Sequence, residues 1–299
     1  MPPLVGYSIL ILLAGTSYGV GSSVLKTAYA HGFNVQDVTF AQFLIAAIMM
    51  WGLRAVTGRR KRRIAPAQWM LLGSLGLVGA GTSFTYYESL TRLPASVGIV
   101  LLFQFAWIVL VIDIVVQRRL PSLERWIGMA LIVAGTILAV KLIGSPLPPV
   151  PIWAILLGLL SAVAYSLTLY LSGYTDAQTS PFTRAALIIS FSAVIILIPF
   201  HHHPHFLITM HRGLWFWGSA MALTAQVIPM LLMIIAIPRT GGRVAGVLGS
   251  VELPVAVLVA RAWLGESVSG VQWLGIFLIL GGIVVSEVVK FRPRPATTE

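Results

Sequence analysis

Ten long apolar runs, separated by short polar gaps, dominate this chain. They lie near residues 5–29, 36–56, 69–91, 95–116, 124–143, 151–173, 182–200, 214–237, 244–264 and 270–290. About 20 mainly apolar residues, wound as an α-helix, cross roughly 30 Å of hydrocarbon. Lipid offers backbone N–H and C=O groups no partners, so segments of this kind close their hydrogen bonds internally as helices. The pattern predicts an all-α integral membrane protein with ten transmembrane helices. The first run is not read as a cleavable signal peptide. Nothing basic precedes it, its apolar stretch is too long, and it has a copy further along the chain.

That copy belongs to a repeat of the whole first half. Trp126–Gly135 matches Trp273–Gly282 at a spacing of 147 residues, and Leu12, Leu13 and Tyr18 match Leu159, Leu160 and Tyr165 at the same spacing. Ala95–Trp107 aligns with Arg243–Val255 at 148, which implies a slip of one residue. The expected division is a first five-helix repeat over 1–147, a second over 148–292 and a tail over 293–299. Five crossings per copy is an odd number, so the second copy enters the membrane from the opposite side and the repeats are inverted. Inverted repeats are an architecture of secondary transporters, with the binding site at mid-membrane between the halves. Exchanging the conformations of the halves converts a site open to one side into a site open to the other. A duplicated bundle with no transport role is the structural alternative.

Composition agrees: 58% of the residues are hydrophobic and only 10% charged, against about a quarter charged in soluble domains. The net charge of +11 does not read as a nucleic-acid surface, because the basic residues sit in gaps between apolar runs. Short basic loops prefer the cytoplasm. With both termini inside, the cytoplasmic set holds Arg54, the Arg59–Arg63 cluster, Arg118, Arg119, Arg125, Arg184, Arg239, Arg243, Lys290, Arg292 and Arg294. Only Lys26, Arg92, Lys141, Arg212 and Arg261 fall elsewhere. The expected location is the inner membrane, multi-pass, with both ends cytoplasmic. The Arg59–Arg63 cluster also suits anionic lipid. Cysteine is absent, which excludes disulfides, thiolate metal sites and cysteine nucleophiles.

Several short motifs follow one another in an order that resembles a known family. They are Ser250-Val251-Glu252-Leu253-Pro254, Leu264-Gly265-Glu266, Trp273-Leu274-Gly275 and Leu280-Gly281-Gly282, with Tyr18-Gly19 and Lys26 in the first helix. Each half resembles an EamA domain of the drug/metabolite transporter superfamily, and the likeness covers nearly the whole chain. The first half departs from the pattern: Gln104 and Ala106 stand where Glu and Pro would be, and Arg119 occupies the place of Glu266. The resemblance implies a ten-helix, basket-like carrier with alternating access. Its substrates would be amino acids and other metabolites, often exported.

Charged groups inside a membrane are costly, at least about 2.5–3.5 kcal/mol at mid-helix, and so invite a role. Glu252 lies mid-way along the ninth run, two residues before Pro254, where a proline frees a carbonyl and bends the helix. It could bind an amine or carry a proton, or it could be a structural carboxyl bonded across helices. Gln104 and Gln226, the latter just before Pro229, offer amides that donate and accept; they are read as cavity lining, with interhelical bonding as the alternative. Tyr18 and Tyr165, repeat mates, supply rings with polar tips for a pocket wall. These five residues form the expected substrate-binding set, and Lys26, Glu88, Pro254 and Pro229 the gating or coupling candidates.

Other polar residues read as structural. Tyr86 and Tyr87 suit the interfacial aromatic belt, Trp107 suits lipid-facing packing, Asp113 is placed to pair with Arg118 or Arg119, and Arg261 with Glu266. Gly15 with Gly19, and Gly242 with Gly246, permit close helix approach. His201-His202-His203-Pro204-His205 and His211 form a loop tract of a kind that can bind metal. Consecutive histidines on a loop lack fixed geometry, so no metal site is expected, and no cofactor.

No phosphate-binding Gly-x-x-x-x-Gly-Lys-Ser/Thr loop or hydrolase motif occurs. The expected function is therefore non-ATP secondary transport of small polar metabolites, most of all amino acids, by alternating access in the export direction, with protons as a candidate coupling ion. The expected partners are a small-molecule metabolite and the lipid bilayer, with no nucleic acid, and a monomer is favoured. The alternatives are a carrier or exchanger of sugars, nucleotide conjugates or drugs and, more remotely, a membrane enzyme or a non-transporting receptor.

Overall fold

The computed structural model describes residues 2–57, 64–118, 122–140, 150–176, 179–200 and 210–288. The Arg59–Arg63 cluster, Arg119, Lys141, the His201–His205 tract, Lys290 and the tail 293–299 lie outside them, and of His211 and Arg243 only the backbone is described.

Each apolar run folds as a helix, in the order α1 (Pro2–Ala30), α2 (Val35–Val56), α3 (Pro66–Ser89), α4 (Ala95–Leu102), α5 (Phe105–Gln117), α6 (Leu123–Ala139), α7 (Ile152–Ser172), α8 (Pro181–Phe200), α9 (Trp215–Ala222), α10 (Ile228–Thr240), α11 (Gly242–Gly249), α12 (Glu252–Leu264) and α13 (Gly270–Val288). Turn chemistry sets several ends. The Asn34 side chain accepts the Asp37 N–H to start α2, and a proline occupies the first turn of α3. Among the described residues, 5–30, 35–56, 95–116, 152–172, 181–198, 212–240 and 244–264 form seven segments long and apolar enough to cross a membrane by themselves. With α3, α6 and α13 they complete ten crossings.

Three crossings are not the plain helices that the apolar runs suggest. The eighth contains a π-helical turn, Leu223–Val227, between α9 and α10. The fourth and ninth are broken, the fourth into α4 and α5 and the ninth into α11 and α12. At the fourth, Gln104 N–H turns back to the Leu101 carbonyl (3.2 Å) and Ala106 N–H to that of Phe103 (3.2 Å). At the ninth, Val251 N–H bonds the Leu248 carbonyl (3.2 Å) and Leu253 N–H that of Ser250 (3.1 Å). Tightening the helix frees a carbonyl at each break, and a side chain takes it. Gln104 Nε2 donates to Val100 O at 2.9 Å, and Ser250 Oγ to Val247 O at 2.6 Å.

The two breaks correspond residue for residue at a spacing of 147, as do the ends of α4 and α11, of α5 and α12, and the left-handed caps Arg118 and Gly265. The one-residue slip suggested by side-chain matching is therefore absent from the backbone. The true mate of Glu252 is Phe105, and that of Gln104 is Val251.

Packing follows a two-fold pattern. α3 lies against α7 as α10 lies against α1, and α1 meets α12 as α7 meets α4 and α5. The mates α2 and α8 pack together, as do α6 and α13. In the last pair the Cα of Gly128 faces the backbone of Gly282, and that of Gly135 faces Gly275. Rising numbers on one helix meet falling numbers on the other, so these mates run antiparallel. That is the geometry of an inverted repeat, and the glycines allow it by letting two backbones touch.

Candidate substrate-binding site

Among the described residues, two cavities inside the bundle bear on the site. One, of about 410 Å³, is lined by the last turns of α7, α10 and α13 and by α11 from Ala245 to Gly249, with Phe103, Phe105, Ala106 and Val109; it faces the end of the bundle where α1 begins. A volume of this order suits a small ligand, whose sites run from about 300 Å³ upward. The other, of about 220 Å³, is central and is walled by α3 from Leu75 to Tyr87, with Ser22, Ile99, Met221, Ala225, Gln226 and Ser192 among its neighbours. Tyr18, Tyr165 and Glu252 line both. These three side chains form the partition between the cavities.

Local structure puts them there. Glu252 is the first residue of α12, directly after the break, so it leaves a helix end rather than a continuous helix face. Gly15 and Gly19 of α1 press against this stretch: a side chain at Gly15 would strike Val251 and the Gly249 carbonyl (2.8 Å), and one at Gly19 the Glu252 carbonyl (2.9 Å). That contact brings Tyr18 beside Glu252. On the mate side, Ser166 of α7 bonds within its own helix to Ala162 and also reaches the Phe105 carbonyl at 3.3 Å. Tyr165 then stands edge-to-face with Phe105, ring centroids 4.8 Å apart. Among the described residues, no donor hydrogen-bonds the Glu252 carboxylate and no base forms an ion pair with it.

Of the expected set, Glu252, Tyr18 and Tyr165 therefore converge, and Gln226 lines the central cavity from the π-helical turn. Ser17 Oγ bonds the Thr224 carbonyl of that turn at 2.9 Å. Gln104 goes elsewhere. It is 3% exposed, lines neither cavity, and its amide is occupied by Val100 O, Thr136 Oγ1 and Trp107 Nε1. Pro254 and Pro229 sit in the first turns of α12 and α10, where a missing N–H costs least.

Lys26 and Glu266 work as a pair around one turn. Lys26 Nζ donates to the carbonyls of Leu90 (3.1 Å) and Leu93 (3.0 Å) at the end of α3. The Glu266 carboxylate accepts the N–H groups of Ala95 (2.6 Å) and Ser96 (3.1 Å), and the Ser96 hydroxyl (2.6 Å), at the start of α4. The cation meets a helix C-terminus and the anion an N-terminus, each the favourable sense of the helix dipole. The expected Arg261–Glu266 pair is replaced by these bonds; Arg261 reaches the Val268 carbonyl instead (3.4 Å). Glu88 borders a separate hollow at the same end, with Tyr29, Asn34 and Gln36.

Tyr86 and Tyr87 also depart from expectation. Both are buried and line the central cavity, because their face of α3 turns inward. Tyr87 Oη donates to Gln42 Oε1 (2.8 Å), and Tyr29 Oη to the Tyr87 carbonyl (3.1 Å). Nothing in the sequence singled out this inward placement. Trp107 is held through its Nε1 by Gln104 rather than simply facing lipid.

A ten-crossing bundle with a polar partition between internal cavities defines a membrane transporter. The chain matches the EamA-like transporter family twice, over residues 6–141 and 152–287, and belongs to that family. It is similar to the threonine/homoserine exporter RhtA of Salmonella typhimurium, 24% identical over 282 residues covering 91% of this chain and 88% of the relative. The Escherichia coli K12 protein of the same name is 24% identical over 93% of this chain and 89% of its own. An uncharacterized transporter of Archaeoglobus fulgidus is 22% identical over 45% of this chain and 47% of its own. A crystal structure shares the fold with a TM-score of 0.64 at 14% identity, covering 97% of this chain and 98% of that one.

Proposed function

We propose that this transporter exports small amino compounds, amino acids foremost, by alternating access, with both termini in the cytoplasm and residues 1–147 and 148–292 exchanging conformations. The observation that carries this reading is the Glu252 carboxylate, without a described partner, on the wall common to two cavities. A carboxylate there can hold a substrate ammonium or a proton, and one excludes the other. That competition is the elementary step of proton-coupled exchange. The large cavity faces the end where α1 begins, while Lys26 and Glu266 fasten the opposite end, so this conformation corresponds to access from the cytoplasm. The relatives named as threonine/homoserine exporters support the substrate class and direction. Purified protein in liposomes loaded with one amino acid is expected to drive counterflow of labelled threonine or homoserine. Sugar or nucleotide counterflow without any amino-acid counterflow would replace the substrate reading.

A further inference from the structure

The charge balance of the cavities is one-sided. Glu252 is the acid, and among the described residues lining either cavity there is no Lys, Arg or His. Rings line the same two cavities as that acid: Tyr18 and Tyr165 on the shared wall, Phe103 and Phe105 in one cavity, Tyr86 in the other. The edge-to-face contact with Phe105 fixes the Tyr165 ring. An aromatic face attracts a cation lying within about 6 Å of its centre, most strongly when water is excluded. The backbone register adds a further point. Tyr18 and Tyr165 are mates, whereas the mate of Glu252 is Phe105, so a symmetric pair of rings shares its wall with a single carboxyl group.

This arrangement suits one ammonium group. It gives a ligand carboxylate no described cation, and it brings that carboxylate toward Glu252, where like charges repel strongly in a medium of low dielectric. We infer that the ammonium alone is the recognised ionic group and that a free carboxylate is dispensable. The substrate class then extends to small primary amines, including amino-acid amides and amino alcohols, which bind better than the corresponding zwitterions. The inference rests on the reading of this cavity as the transport path.

Three probes separate the contributions in the intact protein: threonine, its primary amide, and N-acetylthreonine. Binding is read by thermal shift in detergent and movement by counterflow in liposomes. The amide is expected to bind several-fold more tightly than threonine and to exchange. N-acetylthreonine, which lacks the ammonium, is expected to bind on the order of thirtyfold more weakly than threonine, as for loss of a hydrogen bond to a charged group. Tyr18→Leu is expected to weaken amide binding about tenfold by removing a ring face, and Tyr18→Phe much less. Threonine exchange without amide binding or exchange would overturn the inference and leave the transport reading intact. Equal binding of threonine and N-acetylthreonine would also overturn it. If none of the three binds or moves, the inference and the transport reading fall together.

Discussion

Glu266 and Ser96, 170 residues apart in sequence, are joined through both the backbone N–H and the hydroxyl of Ser96, the latter at 2.6 Å. The carboxylate thereby caps α4 from the far end of α12, tying the two broken crossings together at one face of the membrane. A residue that stabilises one state of a carrier by such a cap should shift the balance of states when removed. Glu266→Ala is expected to cost about 1–2 kcal/mol, the scale of a lost N-cap, and to open that face. A cysteine introduced at Thr82 of the central cavity should then react about tenfold faster with an impermeant thiol reagent added at the Glu266 side, as a shift of 1.4 kcal/mol corresponds to tenfold in an equilibrium. Unchanged labelling would show that the cap has no part in gating.

Gln104 and Glu252, similar in depth by sequence, are expected to respond differently to substitution. Glu252→Gln should abolish counterflow while leaving expression and thermal stability close to wild type. Gln104→Leu strands the Val100 carbonyl and the Trp107 indole N–H, so it should lower stability by about 1–3 kcal/mol for each buried polar group left unpaired. Thermal unfolding and counterflow, measured on both variants, check the distinction.

At Gly128, Gly135, Gly275 and Gly282 the seam between α6 and α13 has no room for a side chain. Gly135→Leu drives its Cβ into the Gly275 carbonyl, 2.5 Å from the ideal position, and should destabilise by about 1–3 kcal/mol or more, as overpacking does. Gly52, with no atom within 4 Å of such a Cβ, is the control. Gly52→Ala should be neutral or stabilise by up to about 1 kcal/mol through helix propensity. Melting temperatures of the two variants provide the comparison.

The absence of cysteine makes orientation directly testable. Ser122→Cys, between α5 and α6, should be protected in intact cells from an impermeant maleimide. Ser267→Cys, between α12 and α13, should be labelled. The opposite result would reverse the assignment of the termini.

Much of the fold was legible because membrane burial is a local demand. Each run had to satisfy its own backbone, so length and apolarity sufficed to find ten crossings, and the motif Trp126–Gly135 with its copy Trp273–Gly282 revealed the duplication. Pro254 announced a disturbance in the ninth crossing. No proline marks the matching break in the fourth, where the Gln104 amide replaces a backbone donor; an amide doing this and an amide lining a pocket look alike in a sequence. Tyr86 and Tyr87 were similarly ambiguous, since aromatic residues near a helix end suit either a headgroup or a neighbouring helix.

The sequence by itself determined the class of solvent, the number of crossings, and the repeat with its inversion, because each follows from hydrophobicity, self-similarity or parity. Only the tertiary structure decided the register of the repeat, the two breaks, the partition of Tyr18, Tyr165 and Glu252, and the bonds of Lys26 and Glu266 around one turn. Those depend on which helix crosses which, and on whether a distant carbonyl or amide fills a polar group's vacancy. Side-chain direction and partner choice are properties of the packed bundle, which no single stretch of chain encodes.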